Sequence, residues 1–359
     1  MKFNLLGEYS GLHYALKIGL ENYGHQVFLL SDGDRKKNIP NTININNIQF
    51  SHIPNGQVNV LLSSLLKVKF PKADCTSLIS PLIFGGSRFL RELISLILIS
   101  KAQKKSKVLS LCAAGSDSFW LKFAEKNLEY YPFDSNDDPK PAFRTFPTPL
   151  LNNYVANKVD KIIGFSPDYY YSYASIKAFS SKTSLLPMIG CRLIKSSLQF
   201  NYCSNKPIKV LFGSNKKSFK GAKFILPALK KFANNFSDVE ILNPKMCSIN
   251  EWENYVRNCD ILVDQCRGYS YGINALYGLA YGKCVLSGWR WPSNVNKSYL
   301  FDDPPIINIC PSIDSVYDGL VLGYKKIKYG NHDYKKVCNF YDKNHSPIVL
   351  ARKFLSIIN

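Results

Sequence analysis

The stretch YSYGINALYGLAYGKCVLSG, Tyr269 to Gly288, reads as a buried helix that passes through a glycine into a buried strand. The apolar run DILVDQ lies just before it, so the order here is strand, helix, strand, the unit of a parallel sheet. Glycines stand at 268, 272, 278 and 282, and two tyrosines, Tyr269 and Tyr277, sit eight residues apart. Gly272 falls where the loop Arg267-Gly268-Tyr269-Ser270-Tyr271 meets the start of the helix. A residue without a side chain lets backbone amides approach an anion there, and the positive end of the helix dipole adds attraction.

Upstream, LFGSNKKSFKGAKF offers a second place of the same kind. Gly213 ends a strand, a basic loop with Lys216 and Lys217 follows, and Lys220-Gly221 opens a helix. Two helix starts at the tips of neighbouring strands can share one pyrophosphate. An exposed basic loop is the plainer reading of this segment taken by itself. Pro227 inside the following helix costs a backbone hydrogen bond and is expected to kink it or to lie in its first turn.

The rest of the chain repeats the alternation. KFNLLG, QVFLLS, KVLSLCAAG and KIIGFS read as buried strands, with LHYALKIGLENYG and PDYYYSYASIKAF as helices. The polar segment SNKPIK (204–209) reads as a linker, after which the pattern restarts. At 359 residues, two α/β domains follow: 1–200, and 207–340. HSPIVLARKFLSIIN reads as an amphipathic helix.

Composition narrows the function classes. The net charge of +20 is spread evenly along the chain, which suits an anionic partner or reflects a Lys- and Asn-rich composition. No localised basic arm or recognition motif points to nucleic acid. Ten scattered cysteines without a C-x-x-C pair imply reduced thiols in a cytoplasmic protein. The opening MKFNLLGEYSG carries no signal-peptide pattern, and no apolar run is long enough to span a bilayer. LISLILIS (93–100), with Arg88, Arg91, Lys101, Lys104 and Lys105 around it, is either core on one side or a basic amphipathic helix lying on a membrane. No G-x-G-x-x-G, Walker A loop, H-E-x-x-H or G-x-S-x-G is present, so nicotinamide, metal and serine-hydrolase chemistry have no motif to stand on. Asp32-Gly33-Asp34 could hold a metal but reads better as a solvated turn, and no metal or cofactor is expected.

The order G-x(6)-K-G followed by Y-S-Y-G-x(4)-Y-G-L-A-Y-G-K-C-V resembles the retaining GT-B glycosyltransferases of family four, where the second block usually reads E-x-F-G-x(4)-E-A-M-A-x-G-x-P-V. ENYGHQV (21–27) is similar to the end of that family's first helix. The resemblance spans most of the chain; it is specific over 260–288 and loose elsewhere. It implies an α/β GT-B fold, two Rossmann-like domains facing each other across a cleft. The first domain would bind the acceptor through Gly7, Tyr9 and Gly11, with helix 346–359 crossing back onto it. The second would bind the donor through Gly213, Ser214, Lys216, Lys217, Lys220, Gly221, Tyr269, Gly272, Ile273, Asn274 and Tyr277. Tyr269 and Tyr277 stand where the family has its two glutamates, and Ser214 where it has arginine. Asp117, in AAGSDSFW, is the candidate for the residue that meets the sugar; a helix N-cap is the other reading of it. Asp117, Lys220 and Tyr269 are thus the catalytic candidates.

The activity implied is metal-independent transfer of a sugar, with retention, from a nucleotide-diphosphate donor to a glycan or lipid-linked acceptor. Surface polysaccharide assembly at the inner face of the cell membrane would be the setting, with peripheral contact to an acidic lipid surface. A catalytically inactive nucleotide-sugar-binding partner subunit is the alternative, and a GT-B-like epimerase a third reading.

Overall fold

A computed structural model of the chain describes residues 1–31, 34, 39, 70–83, 88–133, 142–190, 206–213, 217–244, 247–291 and 303–359. Of the linker 204–209, residues 204 and 205 lie outside these residues and Ile208 and Lys209 already belong to a strand; Asp32 and Gly33 lie outside them.

Two compact units emerge. The first comprises Met1–Ala124, Lys140–Cys191 and Pro347–Asn359; the second comprises Glu125–Pro139 and Arg192–Ser346. In the first unit, β1 (Lys2–Leu6), β2 (Gln26–Leu30), β3 (Ala73–Leu78), β4 (Ser106–Ala113), β5 (Lys161–Gly164) and β6 (Thr183–Leu185) form a parallel sheet in the order β2-β1-β3-β4-β5-β6. Its strands are almost continuously apolar because helices cover them. Packed with them are α1 (Leu12–Asn22), α2 (Arg88–Gln103), α3 (Ser118–Asn127), α4 (Thr148–Lys158), α5 (Pro167–Ala174) and the short α6 (Lys177–Ser180). Leu98, Ile99, Leu111, Val155, Ile162 and Tyr173 lie at the centre of the core.

The second unit contains β7 (Ile208–Phe212), β8 (Val239–Leu242), β9 (Ile261–Val263), β10 (Cys284–Ser287) and β11 (Ile306–Asn308), parallel in the order β11-β10-β9-β7-β8. Its helices are the single turn α7 (Lys217–Lys220), α8 (Ala222–Asn235), α9 (Ile249–Asn258), α10 (Ile273–Ala280), α11 (Ile313–Lys328) and α12 (Tyr334–His345). Ser248 and Glu251 close a reciprocal capping box at the start of α9. The register sets Phe212 beside Val263 and Val263 beside Leu286. The residues that follow, Gly213, Asp264 and Ser287, therefore arrive together at three adjoining strand tips.

Local chemistry explains several turns. Gly282, between α10 and β10, has φ +65°, a conformation that favours glycine. Gly278 lets α10 lie close on the sheet, since an added Cβ would come within 2.7 Å of Val285 Cγ2. Pro227 sits six residues into α8, which begins at Ala222 and stays helical through it. The proline is exposed, so the Lys223 carbonyl it leaves without an amide faces water and the cost is limited. The last helix, α13 (Pro347–Ile358), packs on α1 in the first unit. Gly19 makes that approach possible: a Cβ there would collide with the Pro347 carbonyl.

All eight described cysteines are free, and most are buried. Burial pushes the thiols of Cys75, Cys112, Cys259, Cys266 and Cys284 up to about 12, so they stay protonated and act as small apolar side chains.

Candidate functional site

The tips of β7, β9 and β10 carry the candidate donor site of the second unit. Its centre is Asp264, fully buried just after β9. One carboxylate oxygen takes Lys220 Nζ at 2.5 Å, and the other takes the Gly272 amide at 2.7 Å and Ser287 Oγ at 3.1 Å. A single side chain therefore ties the loop after β7, the start of α10 and the end of β10. An added Cβ on Gly272 would stand 3.1 Å from that same carboxylate. The Gly272 amide is thus already engaged by Asp264, in contrast to the expectation that it would be offered to an anion. Lys220 likewise holds an internal partner, with its side chain 17% exposed.

The remaining donor candidates divide clearly. Gly221 caps α8 with φ +84°, and its Cβ position is filled by Cys266 Sγ. Asn274, in the first turn of α10, donates from Nδ2 to the Gly213 carbonyl at 3.2 Å. Gly213 packs against the Trp252 ring. Ile273 opens α10, and Tyr277 is buried along it. Ser214 and Lys216 lie outside the described residues, and of Lys217 only its backbone place at the head of α7 is described.

Arg267, which the sequence marks only as part of a loop, is 2% exposed and the largest side chain so deeply buried among the described residues. It donates to the Ser218 carbonyl at 3.1 Å and to the Tyr131 carbonyl at 3.2 Å. Tyr131 belongs to the segment 125–139, which joins this unit although its neighbours in sequence lie in the other. The same segment stacks Tyr130 on Tyr269, centroids 4.4 Å apart and planes 19° from parallel, and sets Phe133 edge-on to Phe219. Tyr269 also contacts Trp291 at 5.7 Å. Its hydroxyl lies near the hydroxyl of Tyr130 and the amides of Glu129 and Tyr130 without completing a hydrogen bond of good geometry. Burial raises its pKa, so Tyr269 stays a neutral phenol. Tyr271 bonds His345 Nε2 through its hydroxyl at 2.9 Å, anchoring the loop to α12.

In the first unit, the loop after β1 carries the acceptor candidates. Gly7, φ +82°, sits under Ile79 and Ile83; Gly11, φ +92°, starts α1. Tyr9 lies over Gly115 and reaches the Leu82 carbonyl at 3.5 Å. The unexpected member is Glu8. Its carboxylate, 2% exposed, accepts the amides of Gly11 at 2.9 Å and Tyr14 at 2.8 Å, and so caps α1 from outside. Burial, opposed by the Tyr14 amide and reinforced by Asp34, raises it from 4.5 to about 7. His13, bonded to the Gly7 carbonyl at 2.8 Å, is lowered by burial from 6.5 to about 4.

These two groups act in opposite senses. The folded state holds the Glu8 proton more tightly than the unfolded chain does. Its contribution is therefore complete below pH 4.5 and lost as pH rises to about 7. His13 contributes above pH 6.5 and loses that contribution as pH falls towards 4. Glu8→Gln removes only the first slope. Chemical denaturation of both proteins from pH 4.5 to 7 should show the wild type losing on the order of 3 kcal/mol relative to the variant. Parallel pH profiles would contradict a proton held at Glu8.

Asp117, 5% exposed, shows the capping contacts. One oxygen accepts the Phe119 and Trp120 amides, both at 2.9 Å, and the other accepts the Tyr173 hydroxyl at 2.5 Å. Burial raises its pKa, with the Tyr173 hydrogen bond acting the other way. Among the described residues, no group of three or more His, Cys, Asp or Glu side chains is placed to hold a metal ion. No helix among them is long and apolar enough to cross a membrane.

No protein-family model matches the chain, and no curated protein matches it in sequence. Solved structures do match. Sucrose-phosphate synthase from Thermosynechococcus elongatus aligns over 99% of this chain and 98% of its own, at 13% identity and TM-score 0.61. Anabaena HepE in complex with UDP-glucose covers 99% and 98% at 11% identity, TM-score 0.58. UDP-GlcNAc 2-epimerase from Neisseria meningitidis, bound to UDP-GlcNAc, covers 99% and 98% at 11% identity, TM-score 0.50. With the two parallel sheets, these likenesses establish the α/β fold with two Rossmann-like domains of the GT-B type. They speak to fold alone.

Proposed function

We propose that this chain is a glycosyltransferase that moves a sugar from a nucleoside-diphosphate donor to a glycan or lipid-linked acceptor, without a metal and with retention at the anomeric carbon. The observation that carries the reading is the convergence of Lys220 and the first turn of α10 on Asp264 at adjoining strand tips. A diphosphate at those tips would meet the Lys220 ammonium and the N-terminal end of α10, and would compete there with the Asp264 carboxylate that already engages the lysine and the Gly272 amide. Both are held by a rigid anchor, so little reorganisation is needed as charge builds on the leaving group. The acceptor hydroxyl would be oriented for attack on the same face, with no covalent sugar on the protein. The Anabaena structure is a complex with UDP-glucose and the Neisseria structure one with UDP-GlcNAc, which supports a nucleotide sugar as ligand here.

Tyr269 and Tyr277 replace carboxylates with phenols in this reading. A phenol hydrogen-bonds a hydroxyl as donor or acceptor but adds no charge. The setting we infer is assembly of a surface polysaccharide at the cytoplasmic face of the membrane. The test is release of nucleoside diphosphate from labelled sugar nucleotides with lipid-linked acceptors, read together with movement of the label. Acceptor-dependent release with an unchanged anomeric configuration is expected. Interconversion of sugar nucleotides without an acceptor would overturn the transferase in favour of an epimerase.

A further inference from the structure

Helix α2 breaks the usual rule for a surface helix. Ile94, Leu98, Ile99 and Ala102 face the core, as an amphipathic helix should place them. The opposite side is apolar too, with Leu93 49% and Leu96 37% exposed. The neighbouring helix α4 does the same. Leu151, Val155 and Ala156 are buried, while Leu150 is 62% exposed, Tyr154 38% and Phe146, just before the helix, 65%. The two helices pack against one another and on β4, and Thr148 Oγ1 donates to Glu92 Oε1 at 2.6 Å between them. Four of the eleven large apolar side chains exposed among the described residues thus sit on two adjacent helices, and a fifth, Phe146, lies just before one of them. Scattered exposed leucines need no explanation; a cluster on neighbouring helices does.

Charge says what covers it. From 93 to 107 and from 143 to 158 the sequence contains no aspartate or glutamate. Those same segments carry the exposed Lys104 and Lys105 just after α2 and Lys158 at the end of α4. Lys107, in the first segment, pairs with Asp74 at 2.8 Å. An apolar centre flanked by these exposed lysines complements an anionic lipid surface, where each cation near the headgroups adds attraction and the apolar tips enter the acyl boundary. A second copy of this chain would bring the same lysines against it.

We infer that the exposed face of α2 and α4 docks the protein on an anionic bilayer. Leu93, Leu96, Phe146, Leu150 and Tyr154 enter the interface, and Lys104, Lys105 and Lys158 lie at headgroup level. This goes beyond the proposed donor chemistry and stands whether or not that chemistry holds, because it uses no residue of the second unit.

The experiment is co-sedimentation of the full chain with vesicles of phosphatidylcholine alone and of phosphatidylcholine with one third phosphatidylglycerol. Phe146→Ser/Leu150→Ser and Lys104→Glu/Lys105→Glu are run alongside. All four positions are exposed, so unchanged circular dichroism and melting midpoint are expected. The wild type should partition onto the anionic vesicles and not onto the neutral ones, and each variant should partition at least about tenfold less. No binding to anionic vesicles, equal binding to neutral ones, or apolar variants that bind as well as the wild type would each overturn the inference. So would sedimentation velocity showing a dimer that Phe146→Ser/Leu150→Ser dissolves, since the patch would then belong to self-association.

Discussion

Lys220→Ala lowers the affinity for a nucleoside diphosphate by roughly 10- to 100-fold, the loss of one charge-assisted contact of about 1.5–3 kcal/mol. Turnover falls further, by about 10²- to 10³-fold, because charge on the leaving diphosphate grows in the transition state. Isothermal titration measures the first and steady-state kinetics the second. The variant carries a second effect that must be separated from these. It strips the partner from a carboxylate with no exposure to water. Lys220→Ala/Asp264→Asn removes that burden by making the remaining side chain neutral. The double variant should recover stability and leave the donor affinity low. Affinity that returned together with stability would mean that Lys220 only holds the fold.

The second large effect is on stability itself. Breaking a buried ion pair by deleting one partner costs about 3–5 kcal/mol, because an uncompensated charge stays behind. Lys220→Ala should approach that range, since Asp264 is wholly enclosed. Asp264→Asn should cost less, about 2–3 kcal/mol, because the lysine left unpaired retains some contact with water. With its oxygen kept on the Gly272 amide and Ser287, the asparagine turns its amide NH2 towards Lys220, so that two donors face each other. Urea unfolding of the two single variants and the double variant closes a thermodynamic cycle. A coupling near zero would contradict the pairing. A positive coupling of one or more kcal/mol would support it.

The parallel sheets and their covering helices were legible because burial on both faces writes strands as unbroken apolar runs, as in VLF before Gly213 and CVLS before Gly288. Glycines at turns were legible for the same local reason: Gly282 must turn left-handed. Asp117 was readable as either a sugar contact or an N-cap, and the local sequence could not choose. Its three donors come from its own helix and from Tyr173 on a distant one. Long-range partners were beyond reach. Asp264 looks in sequence like a polar residue ending a strand, and only the register of β7, β9 and β10 reveals that it gathers three loops. Arg267 looks like loop charge, yet its guanidinium satisfies two carbonyls, one of them on a segment 136 residues away. The segment 125–139 carries no periodicity that marks which unit it joins. Its attachment rests on Tyr130, Tyr131 and Phe133 finding Tyr269, Arg267 and Phe219.

The most direct test of the account is isothermal titration of the purified chain with UDP, GDP, ADP and CMP, repeated with Lys220→Ala/Asp264→Asn. Selective binding of one nucleoside diphosphate to the wild type, weakened at least tenfold in the stable double variant, is the result the account predicts. No binding of any of them at about millimolar concentration, where occupancy should be near complete, would contradict a donor site at the tips of β7, β9 and β10.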